Sequence, residues 1–165
     1  MQLCDVMMRV GTGMLCLFSI APRAGAECSV GDAAKGAVPV LIAKDAEVYD
    51  KKSNLTWQRC SIGQRWEASS GCLGTPRKFT FDEAQAQANG AWRVPTIDEL
   101  SSIVADYCKE PAIDPLFFPN TAPEQFWTSN IYSPMVFYVS FRNGSPNPTY
   151  YSDSRYAVRL VRSGE

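Results

Sequence analysis

With 165 residues, 45% of them hydrophobic, and a net charge of −1, the chain has the length of one domain with a real core and no basic excess of the kind that marks a nucleic-acid binder. It contains no histidine. That excludes Ser-His-Asp and Cys-His catalysis, HExxH zinc sites and histidine-bound iron or copper, and it leaves carboxylate, tyrosine or arginine chemistry and calcium binding.

Residues 1–26 read as a cleavable signal peptide. Arg9 precedes an apolar stretch over 10–21, too short to span a bilayer, and Ala24-Gly25-Ala26 supplies a signal-peptidase site. No second run approaches membrane length, so no membrane span is expected after signal cleavage. Cys4 and Cys16 leave with the signal. Cys28, Cys60, Cys72 and Cys108 stay, an even number in an exported chain, which argues for two disulfides. Four cysteines allow three pairings. Gly63, Ser69, Ser70 and Gly71 make the segment between Cys60 and Cys72 a flexible short loop, which favours that pair and leaves Cys28 with Cys108. A Cys4 zinc site needs close C-x2-C pairs, and there are none, so no metal is expected.

Residues 27–46 form a lead-in with an apolar patch at Val40, Leu41 and Ile42, and the folded domain spans 47–165. A β-hairpin is predicted over 47–60, turning at Lys51-Lys52-Ser53-Asn54, followed by a cysteine-closed loop over 61–78. Two helices follow, each opened by a capping box: Thr80-Phe81-Asp82-Glu83 and Thr96-Ile97-Asp98-Glu99. The first carries Phe81, Ala84 and Ala88 on one face and stops near Asn89-Gly90; the second carries Ile97, Leu100, Ile103, Val104 and Tyr107. Asp82, Glu83, Asp98 and Glu99 could pass for catalytic carboxylates, but capping explains all four by position. Four prolines over 111–123 exclude a helix, so that stretch is a loop pinned by Leu116, Phe117 and Phe118. Strands are predicted over 126–129, over 135–141 with Met135, Phe137, Val139 and Phe141 on one face, and over 156–162, with a tight turn at Asn143-Gly144.

Four signatures stand in order: Leu55-Thr56-Trp57-Gln58-Arg59-Cys60, Trp92-Arg93-Val94-Pro95-Thr96-Ile97-Asp98-Glu99-Leu100, Phe126-Trp127-Thr128-Ser129 and Val158-Arg159-Leu160-Val161-Arg162. Together they resemble the bacterial domain family named for the C-terminal domain of the Legionella collagen-like protein, Lcl. The resemblance implies an α+β fold related to C-type-lectin-like and formylglycine-enzyme-like domains: two helices packed on a twisted, mostly antiparallel sheet with long loops, here stapled by disulfides. It also implies an exported protein, periplasmic or secreted, and a branch associated with adhesion and binding of sulfated glycans. The calcium-lectin motifs E-P-N or Q-P-D followed by W-N-D are missing, so no calcium site and no cofactor are expected.

The motif residues themselves read as structural. Trp57, Trp92, Phe126 and Trp127, with Pro95, Thr96 and Leu100, belong to core or caps. Arg93 and Arg159 stand among apolar residues and need partners, for which Glu99 or Asp98 is available. The leading function is a binding module whose partner is a glycan or an envelope protein, with the ligand surface sought over 143–155 at Tyr150, Tyr151 and Arg155. A structural envelope component acting by protein contacts is the alternative. An enzyme of the formylglycine-generating type would need a reactive cysteine, and disulfides account for all four that stay.

Overall fold

The computed structural model describes residues 27–28 and 40–165; the signal-peptide reading of residues 1–26 and most of the lead-in lie outside the described residues. The predicted hairpin forms, with β3 (Glu47–Asp50) antiparallel to β4 (Leu55–Gln58). Its turn is fixed by Asp50, which accepts from the Lys52 amide and the Ser53 hydroxyl, and by Asn54 in the left-handed region at φ 55°. β2 (Leu41–Lys44) and β11 (Val161–Ser163) flank the hairpin, giving the order β11-β4-β3-β2. A second sheet has the order β10-β9-β8, from β8 (Gln125–Tyr132), β9 (Met135–Ser140) and β10 (Ser145–Thr149). Two ribbons complete the set: β1 (Glu27–Cys28) with β7 (Cys108–Lys109), and β5 (Arg65–Glu67) with β6 (Gly71–Leu73). All these strand pairs are antiparallel. With helices α1 (Phe81–Gln85) and α2 (Ile97–Ser102), the architecture is α+β and dominated by sheet.

Two apolar clusters make the core, and neighbouring residues alternate between them. Phe126 joins Trp57, Val48, Leu100, Phe141 and Val161 on one side, while Trp127 joins Phe79, Phe81, Val94 and Val158 on the other. Along the last segment Ala157, Val158, Leu160 and Val161 are likewise divided between the clusters. Successive side chains of an extended strand point to opposite faces, so a strand buried on both faces must be apolar without interruption. The indole N–H of Trp127 donates to the Phe79 carbonyl at 2.7 Å, satisfying its polar atom inside the core.

Several sequence expectations are corrected. Both helices are shorter than predicted. After Gln85 the amides of Gln87 and Ala88 bond three residues back, and Asn89 and Trp92 then exchange backbone hydrogen bonds around Gly90 at φ 59°, leaving Ala88 exposed. α2 ends at Ser102 because the Ala105 amide goes to the Ala112 carbonyl instead of continuing the helix. The proline loop is pinned by Ile113 and Phe118, both buried; Leu116 is 71% exposed. Met135 and Phe137 are half-buried, and Val136 on the opposite face is buried, since both faces of β9 are covered. The closing strand is regular only over Val161–Ser163, its earlier part bridging Phe79 through Tyr156 and Phe126 through Ala157. The cysteine loop contains the β5–β6 hairpin. Residues 145–149 are a strand despite Pro146 and Pro148, because β10 is the outer strand of its sheet and two absent N–H groups break no ladder there.

Candidate functional site

The disulfides join Cys28 to Cys108 and Cys60 to Cys72. The second sets up an aromatic surface. Trp66 on β5 lies opposite Cys72 on β6, so the hairpin that carries this indole is tethered directly to Cys60. Across from it, the tight turn after α1 presents Asn89 and Trp92. Between them runs a groove of about 510 Å³, lined by Trp66, Trp92, Gln58, Gln64, Gln87 and Asn89 among others, with Cys60 and Leu160 along its floor.

Each indole is held on one face by a guanidinium. The Arg59 guanidinium carbon stands 4.0 Å from the Trp66 ring centre, and that of Arg162 stands 5.4 Å from Trp92. Arg59 is itself anchored by donating to the carbonyls of Phe117 and Leu116, both at 2.8 Å, and its pKa is lowered by burial. Arg162 donates to Glu47 Oε2 at 2.9 Å. Each indole therefore has one face packed against a guanidinium that is itself anchored. Gln64 is committed to the scaffold, accepting from the Ser61 amide and donating to the Asn120 carbonyl. The side-chain amides of Gln58 and Asn89 have no hydrogen-bond partner among the described residues, and Gln87 uses only its NH2, donating to the Glu83 carbonyl.

The motif residues fall mainly into core and caps. Trp57, Leu100, Phe126 and Trp127 are fully buried, and Pro95 is buried beside them. Thr80 with Glu83 and Thr96 with Glu99 form complete capping boxes. Glu99 pairs with Arg93 through two bonds, of 2.6 and 2.7 Å, and these hold its carboxyl below the ordinary carboxylate range while raising Arg93. Among the described residues, Arg159 has no carboxylate partner. It is fully buried, with its terminal nitrogens on the carbonyls of Gln58 and Arg59 and on the Thr121 hydroxyl, its Nε without a partner among the described residues, and its plane near Phe118. Burial pushes its pKa down to about 9, so it still carries charge at neutral pH.

Tyr150 and Tyr151 are 68% and 70% exposed. Arg155 pairs with Glu83 at 2.9 Å, donates to the Lys78 carbonyl, and lines a second groove with Arg77, Lys78 and Glu83. Sequence reasoning passed over Trp66, Gln58, Gln87 and Asn89 and placed Trp92 in the core. The available signal was Trp66, one large aromatic inside a polar, disulfide-closed segment where no apolar core can form.

These features define a disulfide-stapled, mainly antiparallel α+β domain with one aromatic, amide-lined groove. The family model of the Lcl C-terminal domain matches residues 46–162, and the chain belongs to that family. No curated protein and no solved structure matches it. No described helix is long and apolar enough to cross a membrane, and disulfides persist in oxidising compartments.

Proposed function

We propose that the protein is an exported, periplasmic or secreted binding module that takes a glycan in the groove between Trp66 and Trp92, and that it is not an enzyme. The observation that supports this most is the pair of indoles, each backed by a guanidinium, lining one groove with the amides of Gln58 and Asn89, which have no partner among the described residues. Sugar rings carry an apolar C–H face beside hydroxyls that both donate and accept; indoles suit the first and amides the second. Two capped helices beside antiparallel sheets also suit the C-type-lectin-like arrangement implied by the family. A glycan array probed with the wild type and with Trp66→Ala tests the reading. Hits that vanish in the variant are expected, whereas hits that survive in it, or none at all, would contradict the groove assignment.

A second reading, contact with an envelope protein, draws on the exposed apolar tip of the β8–β9 hairpin, where Ile131 and Tyr132 are 58% and 63% exposed. It predicts that Tyr132→Ala, and not Trp66→Ala, abolishes adhesion to whole bacterial envelopes.

A further inference from the structure

We infer that the groove selects uncharged sugars over sulfated or uronic-acid glycans, a specificity that rests on the glycan-binding reading above. Anionic glycans are held by guanidinium or ammonium groups with free donors. Two arginines border this groove without lining it, and each spends donors on the protein itself. Arg59 gives all three nitrogens to backbone carbonyls, those of Phe117, Asp45 and Leu116, at 2.8, 3.2 and 2.8 Å. Arg162 gives its terminal nitrogens to the Gly164 carbonyl at 3.2 Å and to Glu47 at 2.9 Å.

The one charged side chain lining the groove among the described residues is Glu47, a carboxylate that repels sulfate. Arg162 pairs with this carboxylate, so the guanidinium nearest the groove is engaged by an anion of the protein itself. The remaining polar surface is amide. Gln58 and Asn89 each carry an N–H2 donor and a C=O acceptor, and Gln87 keeps its C=O; hydroxyls, which donate and accept, can use all of these groups, whereas an oxyanion can use only the N–H2 donors. The cations thus act on the protein's own rings, stiffening Trp66 and Trp92, instead of on the ligand.

Isothermal titration of the disulfide-bonded domain tests this with three neutral tetrasaccharides (cellotetraose, maltotetraose and chitotetraose) and a heparin-derived tetrasaccharide. At least one neutral sugar is expected to bind about tenfold tighter than the heparin fragment, with little dependence on salt. Glu47→Gln, which removes the repulsion and releases Arg162, is expected to raise affinity for the heparin fragment several-fold. Equal or tighter, salt-sensitive binding of the heparin fragment that Trp66→Ala abolishes would overturn the specificity and leave glycan binding in the groove standing. Absence of binding by all four sugars would overturn both.

Discussion

Replacing Glu99 by alanine removes two interactions at once. The carboxylate accepts from the Thr96 amide at 2.8 Å, closing the capping box of α2, and it takes both terminal nitrogens of Arg93. Loss of the cap costs about 1 kcal/mol. The ion pair has good bidentate geometry, but its side chains are 20% and 40% exposed for Glu99 and Arg93, which keeps its worth near about 1 kcal/mol instead of the several expected of a sealed pair. The sum, about 2 kcal/mol, lowers a urea midpoint by about 1 M at a typical slope for a domain of this size. A double-mutant cycle with Arg93→Ala should return coupling of about 1 kcal/mol, and one with Arg159→Ala coupling near zero, because Arg159 is bound to carbonyls and a hydroxyl. The pH dependence follows from the sign of the shift. Glu99 titrates lower in the folded chain than in the unfolded one, so its contribution is complete above the ordinary carboxylate range and is lost as pH falls through the folded value. The gap between wild type and variant should therefore stay constant near neutrality and narrow in acid. An unchanged urea midpoint for Glu99→Ala, or a gap that widens in acid, would refute the reasoning.

Arg159→Met strips donors from the carbonyls of half-buried Gln58 and Arg59 and should cost about 3 kcal/mol, read by the same denaturation. Gly144→Ala forces a Cβ to 2.5 Å from Val104 Cγ1 at a backbone φ of +77°, so thermal unfolding should show a clear loss of stability. Selective removal of the Cys60–Cys72 bridge, which spans 12 residues, should cost about 3 kcal/mol in the chain-entropy model and loosen the Trp66 wall, weakening sugar affinity in titrations more than loss of the Cys28–Cys108 bridge does.

The helix starts were legible in the sequence because a capping box is a local device: Thr and Glu three apart satisfy each other whatever surrounds them. The helix ends were not, because the Ala105 amide leaves α2 for Ala112, a contact across a loop that no local pattern announces. The hairpin at 47–58 was legible from its turn residues, whereas the smaller one inside the cysteine loop was hidden by Gly and Ser around Trp66. Alternation in β9 pointed to one buried face, but covering of both faces is set by tertiary packing, with Val136 and Val139 in different clusters. The groove was illegible for the same reason. Its walls come from β5 and from the turn after α1, 26 positions apart at Trp66 and Trp92, and long-range contacts, among them the Cys60–Cys72 bridge and the Arg93–Val161 backbone bonds, bring them to one surface.

The four tryptophans allow the central claim to be tested in a single spectrum. Trp57 and Trp127 are fully buried in the core, while Trp66 and Trp92 line the groove, so each indole N–H reports a different environment. Titration of the nitrogen-15-labelled domain with a glycan taken from the array should move the indole peaks of Trp66 and Trp92, with the side-chain amides of Gln58 and Asn89, and leave those of Trp57 and Trp127 in place. Shifts confined to Tyr150, Tyr151 or the Tyr132 hairpin, with the Trp66 and Trp92 peaks unmoved, would contradict it.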